Sequence, residues 1–520
     1  MRALPVSMAL SSLVLGGWLT GARAQNVGVG LLPPAHNAAR NGQADDTQQQ
    51  PLLPGAIPQP TVEDPGMVAG ITLGELYTDN LKLAGGGKSK QSSFITQVQP
   101  FVRAARNSPR FSGVVNAMLA GYLYPSHTSY DQLAPDLDAQ GTLTLLPQHF
   151  FLDGVATYRR QIINNQAPAG SASYFLDNNQ ANIATASLSP WWVQDLGSVG
   201  IMTARYTHGR VVYNHRGISG EGSGLLNGIP NVTMDAGQFS LVSPQYQTWG
   251  WNLSYSEQRM QPDYGANIDF AIAKVGTSVK VSTDLRLLAD GGKENKFNAD
   301  GTVQKLEAPF WDAGFEWSNG RDNFSLLVGH RFFGRSYQLS WTHHAALLTT
   351  NVSYVEQPTS YNQQFLGLNP GTVGIPTIGM GSDVTALTER LPYLSKRLSA
   401  SAAYTMPHGM LTVRAYDELR TFFTLNNERE RVVDADVSWL FNLGAYTTLT
   451  PTFNWQRYRF RDGQTNDTRY AQLALVHQYD PKNFGSVSVR HDTRGVDFMA
   501  VPGAHGYTAN VLFVQWTHLY

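Results

Sequence analysis

From Met67 onward the chain alternates apolar and polar residues in runs of about 9–14, separated by connectors rich in Gly, Pro, Asn and Asp. In "WDAGFEWSNG", Ala313, Phe315 and Trp317 share one wall, and Asp312, Gly314, Glu316 and Ser318 the other. In "RVVDADVSWLF", Val433, Ala435, Val437, Trp439 and Phe441 oppose Asp434, Asp436 and Ser438. In "AYTTLTPTFNWQ", Leu449, Phe453 and Trp455 oppose Thr448, Thr450, Thr452 and Asn454. Neighbouring side chains on a strand point to opposite faces, so each run predicts a β-strand with one apolar and one polar wall.

A soluble sandwich alternates in the same way, and three further features separate the two architectures. The runs exceed the roughly 5–6 residues of an ordinary strand and approach the length needed to cross a bilayer at a tilt. Tight connectors ("NSPR", "LPQH", "QDLGS", "MPHG", "NLGA", "YDPKN") take turns with longer ones. The longer ones are "AGGGKSKQS", "NNQAPAGSASYFLDNNQ", "HRGISGEGSGLLNGIPNV" and "ADGGKENKFNADGTVQKLEA". Short periplasmic turns and long external loops give an outer-membrane barrel that alternation. The chain ends in "ANVLFVQWTHLY", with Leu512, Val514, Trp516 and the terminal Tyr520 on one wall, the pattern of a last strand presented to the barrel-assembly machinery. His518 makes that wall less apolar than usual.

The fold class expected is therefore all-β: a transmembrane antiparallel β-barrel of the outer membrane over residues 67–520. It has about 22 strands (range roughly 16–24) and both termini on the periplasmic side. The stretch 235–290 is the hardest to divide. The longest connector, Pro358 to Tyr393, is rich in Gly and Pro; it reads as an external surface loop, with a constriction folded into the lumen as the alternative.

The N-terminus supplies the route. Residues 1–24 carry Arg2, an apolar stretch from Ala3 to Leu19 and Ala22-Arg23-Ala24, the layout of a signal peptide cut after Ala24. No Cys follows that site, so a lipid anchor there is not expected. Residues 25–66, rich in Pro, Gln, Gly and Ala without a period, read as a disordered periplasmic segment. Beyond it no apolar run reaches the roughly 18 residues of a membrane helix.

Composition narrows the chemistry. Charged residues make up 15% of the chain, below the roughly 25% of soluble domains. A net charge of −1 argues against a nucleic-acid partner, and the absence of cysteine excludes disulfides, thiolate metal sites and a thiol nucleophile. No nucleophile elbow, phosphate-binding loop, H-E-x-x-H pair or EF-hand spacing occurs, so neither an enzyme nor a cofactor or metal site is expected. The adjacent His343 and His344 in "RSYQLSWTHHAALLTTNVSYVEQ" fall on opposite walls of a strand, which keeps them from ligating one metal together unless a turn at Ala345-Ala346 swings one round. The candidate functional residues are instead the polar ones assigned to the lumen wall: Asp312, Glu316, Arg331, Arg414, Asp434, Asp436 and Arg457. They carry both signs, as a wet lumen that passes or holds a polar solute requires. Tyr, Trp and Phe at strand ends are expected in the membrane-interface girdles.

Three stretches carry a family resemblance. "GHRFFGRSYQLSWTHH" (Gly329–His344), "ELYTDNLKLA" (Glu75–Ala84) and "LSKRLSASAAYTMPHGMLTVRAYDELR" (Leu394–Arg420) resemble the PEP-CTERM system-associated outer-membrane proteins. The similarity runs with gaps from about residue 67 to the C-terminus, leaving the Pro-rich segment and the 358–393 connector poorly covered. It implies a barrel serving exopolysaccharide export, assembly or retention, with outer-membrane lipid, the assembly machinery and exopolysaccharide or its export components as partners. It supplies no catalytic residues. A general or solute-specific diffusion porin is the alternative, and a structural barrel displaying loops as a matrix or partner anchor is the second.

Overall fold

The computed structural model describes residues 66–520 apart from 86, 163–171, 177–179, 215–229, 245–247, 299–301, 361–391, 424–427 and 497–504. The expected signal peptide, the Pro-rich segment and nearly all of the 358–393 connector lie outside the described residues.

Each alternating run forms one strand. The first seven are β1 (Gly66–Thr78), β2 (Ser93–Asn107), β3 (Phe111–Leu123), β4 (Gln132–Leu146), β5 (Phe150–Ile162), β6 (Gln180–Asp195) and β7 (Ile201–Asn214). The hard-to-divide stretch resolves into β8 (Val232–Val242), β9 (Trp249–Pro262), β10 (Ile268–Lys280) and β11 (Leu285–Phe297). There follow β12 (Val303–Ser318), β13 (Asp322–Arg331), β14 (Gly334–His344), β15 (Leu348–Thr359), β16 (Tyr393–Met406) and β17 (Gly409–Phe422). The last are β18 (Arg429–Gly444), β19 (Thr447–Arg459), β20 (Thr465–Asp480), β21 (Asn483–Val496) and β22 (Tyr507–Leu519).

Every strand pairs antiparallel with the next, and β22 returns to β1 in register from Gly70↔Leu519 to Thr78↔Val511. The 22-stranded sheet is thereby closed and has no edge. Closure satisfies the backbone groups of every strand internally, the condition for non-helical chain to cross hydrocarbon. The Cα pairing skips positions beside Pro100 and Pro190, where the ring removes a ladder donor.

Connectors fall into two classes at opposite ends. At the end where β1 begins and β22 finishes, every connector has two to six residues. At the other end they range from two to 33. The turn end and the loop end expected from the sequence are thus distinct, with two differences. The stretch "ADGGKENKFNADGTVQKLEA" is mostly strand: β11 and β12 run through it and leave only 298–302 between them. Its Lys, Glu and Gly residues conceal an alternation that continues past the apolar zone. The second difference is the Phe332-Phe333 connector between β13 and β14, the shortest at the loop end.

The outer wall carries an apolar band. On β12 it runs from Trp311 to Trp317, seven positions or roughly 20 Å along the strand. On β22 it holds Leu512, Val514 and Trp516, with Tyr520 beyond. His518 lies between the Trp516 and Tyr520 rings, at 5.7 and 5.4 Å between centroids. Trp192, Trp249, Trp317, Trp439 and Trp516 mark the turn-end margin of the band, and Tyr77, Tyr206 and Trp311 its other margin. Beyond that margin the outer wall turns ionic, with Arg210–Asp263 (3.3 Å) and Arg259–Asp269 (3.1 Å). An apolar outer band between aromatic girdles on a closed antiparallel sheet makes this chain an outer-membrane β-barrel.

Candidate functional site: the lumen wall and its mouth

With the apolar face turned to lipid, strand parity sends the polar face inward. Asp312 and Glu316 project from the inner wall of β12, and Arg331 from the loop end of β13. Arg331 is held by Glu294 of β11, its Nε donating to Oε2 at 3.0 Å. Asp312 stands directly opposite Asp290, which pairs with Lys274 at 3.1 Å. Arg414 stands opposite Asp436, and Tyr416 opposite Asp434. Asn454 donates to Asp434 Oδ2 at 3.3 Å.

Arg457 belongs elsewhere. It shares parity with Phe453 and Trp455, so it lies on the outer wall of β19 and pairs there with Asp467 at 3.0 Å. The assignment of Arg457 to the lumen is corrected by that alternation. The charge is tolerated outside because this part of β19 stands past the apolar band.

The inner wall holds further charged residues that the sequence reading did not single out. Arg420 and Glu418 are fully buried and meet at 2.7 Å, with Ser395 Oγ donating to the same carboxylate at 2.6 Å. Arg490 and Asp492 meet at 2.9 Å, with the Arg490 guanidinium 4.0 Å from the centre of the Tyr470 ring. Asp138 pairs with Arg159 at 3.1 Å, Asp153 with Arg205, and Tyr458 donates to Glu430. Same-parity spacing within a strand, as in Glu418/Arg420 and Arg490/Asp492, was a signal the sequence carried. The cross-strand pairs depend on register, which it does not show. This wall is polar yet largely charge-paired, and its charges lie down against neighbouring side chains.

The wall is layered. Toward the turn end, Phe101, Phe484 and Leu519 pack together with Val68 and Met118. Above them lies a polar belt in which Thr72 bonds Thr517 at 2.8 Å, Gln97 donates to Gln99 at 2.6 Å and Ser486 donates to Gln515 at 3.2 Å. At the loop end the wall becomes apolar again. There the connectors fold over it: Leu81, Leu83, Tyr174 and Phe175 pack with Leu76, Ile95, Tyr122 and Phe513. Backbone bonds tie these connectors, Leu176 N donating to Leu81 O at 3.1 Å. Tyr124 Oη donates to Tyr174 O at 2.7 Å, and Gln132 Nε2 to Ser173 O at 2.8 Å. Burial pushes the Tyr124 and Tyr174 phenols well above their ordinary range, so both stay neutral.

A second closure lies further round the mouth. Phe297, at the end of β11, stacks on Phe423, just after β17, at 5.1 Å. Phe332 fits beside both, 5.8 and 5.3 Å away, with Phe333 and Leu394 packed on the same group. The ends of strands six apart in order are drawn together over the short β13–β14 connector.

His343 and His344 end β14 on opposite faces. His343 Nδ1 lies 2.7 Å from Asp322, to which Trp341 Nε1 donates at 3.1 Å, so it belongs to the turn-end rim. No group of three or more metal-ligating side chains occurs among the described residues.

No family model and no curated protein matches the chain. Among solved structures it is similar to the FrpB iron transporter from Neisseria meningitidis (10% identity, 87% of this chain and 82% of that one, TM-score 0.46). It is also similar to the siderophore receptor PirA from Acinetobacter baumannii (8%, 89% and 81%, TM-score 0.46). A third is OmpT, an outer membrane protein of Vibrio cholerae (8%, 88% and 97%, TM-score 0.29).

Proposed function

We propose that the chain is a gated channel of the outer membrane that passes a polar solute, with its turn end and both barrel termini in the periplasm. The observation that supports this reading is the inner wall: a polar, charge-paired belt between apolar layers, with Leu81, Leu83, Tyr174 and the Phe297–Phe332–Phe423 group packed at its loop end. A wall built only to stabilise a closed cylinder needs no ion pairs along it, since apolar residues of similar volume serve as well or better. The balance of signs favours a neutral polar solute over a strongly charged one. Purified protein in planar bilayers is expected to show small, intermittent conductance, and the F332A/F423A variant larger and steadier steps. Silence in both proteins would refute the channel.

The family resemblance supports a second reading, in which the solute is an exopolysaccharide chain passed to, or retained at, the cell surface. Deleting the gene is then expected to lower surface or secreted polysaccharide; unchanged amounts would leave the porin reading alone. Assembly through the C-terminal strand, with Leu512, Val514, Trp516 and Tyr520 outward, belongs to both readings.

A further inference from the structure

We propose that the outer wall of β18, β19 and β20 at the loop end is a docking site for a phosphorylated lipid headgroup of the leaflet on that side. Five arginines share this face: Arg429 and Arg431 on β18, Arg457 and Arg459 on β19, and Arg469 on β20. Two carboxylates stand among them, and both are engaged. Asp417 holds Arg431, whose Nε donates at 2.8 Å, and Asp467 holds Arg457 at 3.0 Å. Arg429, Arg459 and Arg469 are exposed and make no ion pair among the described residues. On the adjoining rim Glu428 turns to Arg461 at 3.6 Å, and Asp462 bonds the backbone of its own turn at Gln464.

The register sharpens the excess. Arg431 and Arg459 are direct cross-strand partners, an arrangement that places Cβ atoms about 5 Å apart and is unfavourable for like charges unless an anion lies between them. Elsewhere on the same ionic belt the charges match: Arg210 with Asp263, Arg259 with Asp269, Lys305 with Glu257 and His208 with Asp235.

Position selects a lipid as the occupant. Directly below the arginines this face becomes the lipid-facing band, with Val437, Phe453 and Leu473. Trp455, next to the margin, donates its Nε1 to Asp467 at 3.1 Å and stands opposite Arg469. Arg459 is four residues beyond Trp455, about 13 Å along the strand. The cationic side chains thus form two levels, Arg429/Arg431/Arg459 above and Arg457/Arg469 below. A headgroup with two phosphates, its acyl chains on the band beneath, fits both levels. Guanidinium forks pair with phosphate bidentately, which favours this chemistry over a carboxylated or zwitterionic headgroup.

The full-length protein, folded in detergent and checked by its heat-modifiable migration on gels, would be titrated with bisphosphorylated lipid A and followed by native mass spectrometry. Wild type is expected to retain the lipid, and R459Q/R469Q to bind it at least about tenfold more weakly. R459K/R469K is expected to fall between, and R210Q, in the matched sector, to bind as wild type. Equal binding by wild type and R459Q/R469Q would overturn the proposal. So would equal retention of the dephosphorylated lipid, or displacement of the lipid by inorganic phosphate at matched concentration, which would show that the acyl chains contribute nothing.

Discussion

Replacing Lys274 by Met tests whether the Lys274–Asp290 pair on the inner wall is shielded from the water of the lumen. Lys274 Nζ lies 3.1 Å from Asp290 Oδ2, and both side chains are 3% exposed. Asp290 lies flat over Gly276, where a Cβ would meet its Oδ1 at 1.8 Å, and Asn252 Nδ2 stands 3.4 Å from the same oxygen. Asp312 faces Asp290 directly across the β11–β12 ladder, so one lysine balances two carboxylates. At an effective dielectric of about 20, unit charges at this separation attract by about 5 kcal/mol. Removing the cation alone leaves the carboxylates against each other, and breaking a buried pair costs about 3–5 kcal/mol. K274M should therefore lower the urea-unfolding free energy, followed by tryptophan fluorescence in lipid vesicles, by that amount. K274M/D290L/D312L, which removes the lysine together with both carboxylates it balances, should recover to within about 1 kcal/mol of wild type. A K274M loss below about 1 kcal/mol, the cost for an exposed pair, would mean that lumen water reaches this pair and would refute its burial.

Arginine at Val514, on the lipid face of β22, is expected to cost about 2–4 kcal/mol in the same unfolding assay; a neutral V514R would mean that the wall assignment of β22 is inverted. Gly409 has φ +152° and a Cβ there would lie 1.9 Å from Leu440 O, so G409A should lower stability by more than about 1 kcal/mol, and an unchanged midpoint would refute the strain. The H343A/H344A double variant is expected to bind zinc as wild type does by calorimetry, since the two rings diverge and His343 serves Asp322.

Much of the barrel was legible in the chain because a period of two is a local property. The segment Trp311–Trp317 shows its walls without reference to any other strand, and counting such segments leads to 22. Where polarity no longer alternates, the signal fades: in β11 and β12 the residues between Ala289 and Ala308 stand partly above lipid, so nothing forces their outer wall to be apolar. Arg457 was misplaced for a related reason. Charge alone suggested an inward side chain, whereas parity with Phe453 and Trp455 fixes it outward, and only position along the strand explains why lipid does not penalise it.

The mouth was not legible, since its contacts join residues far apart in sequence. Phe297, Phe332 and Phe423 each look like an ordinary aromatic at a strand end, where the expected role is the membrane girdle. Their rings turn inward because the two-residue Phe332-Phe333 connector leaves the wall low there, and the taller β11 and β17 ends close over it. The stretches Glu75–Ala84, Gly329–His344 and Leu394–Arg420 contribute to two separate loop-end clusters. Glu75–Ala84 supplies Leu76, Leu81 and Leu83, Gly329–His344 supplies Phe332 and Phe333, and Leu394–Arg420 begins with Leu394 and ends at the buried Glu418–Arg420 pair. A mouth of defined shape demands specific side chains at specific heights, and strand alternation, which records only which wall a residue faces, does not carry that demand.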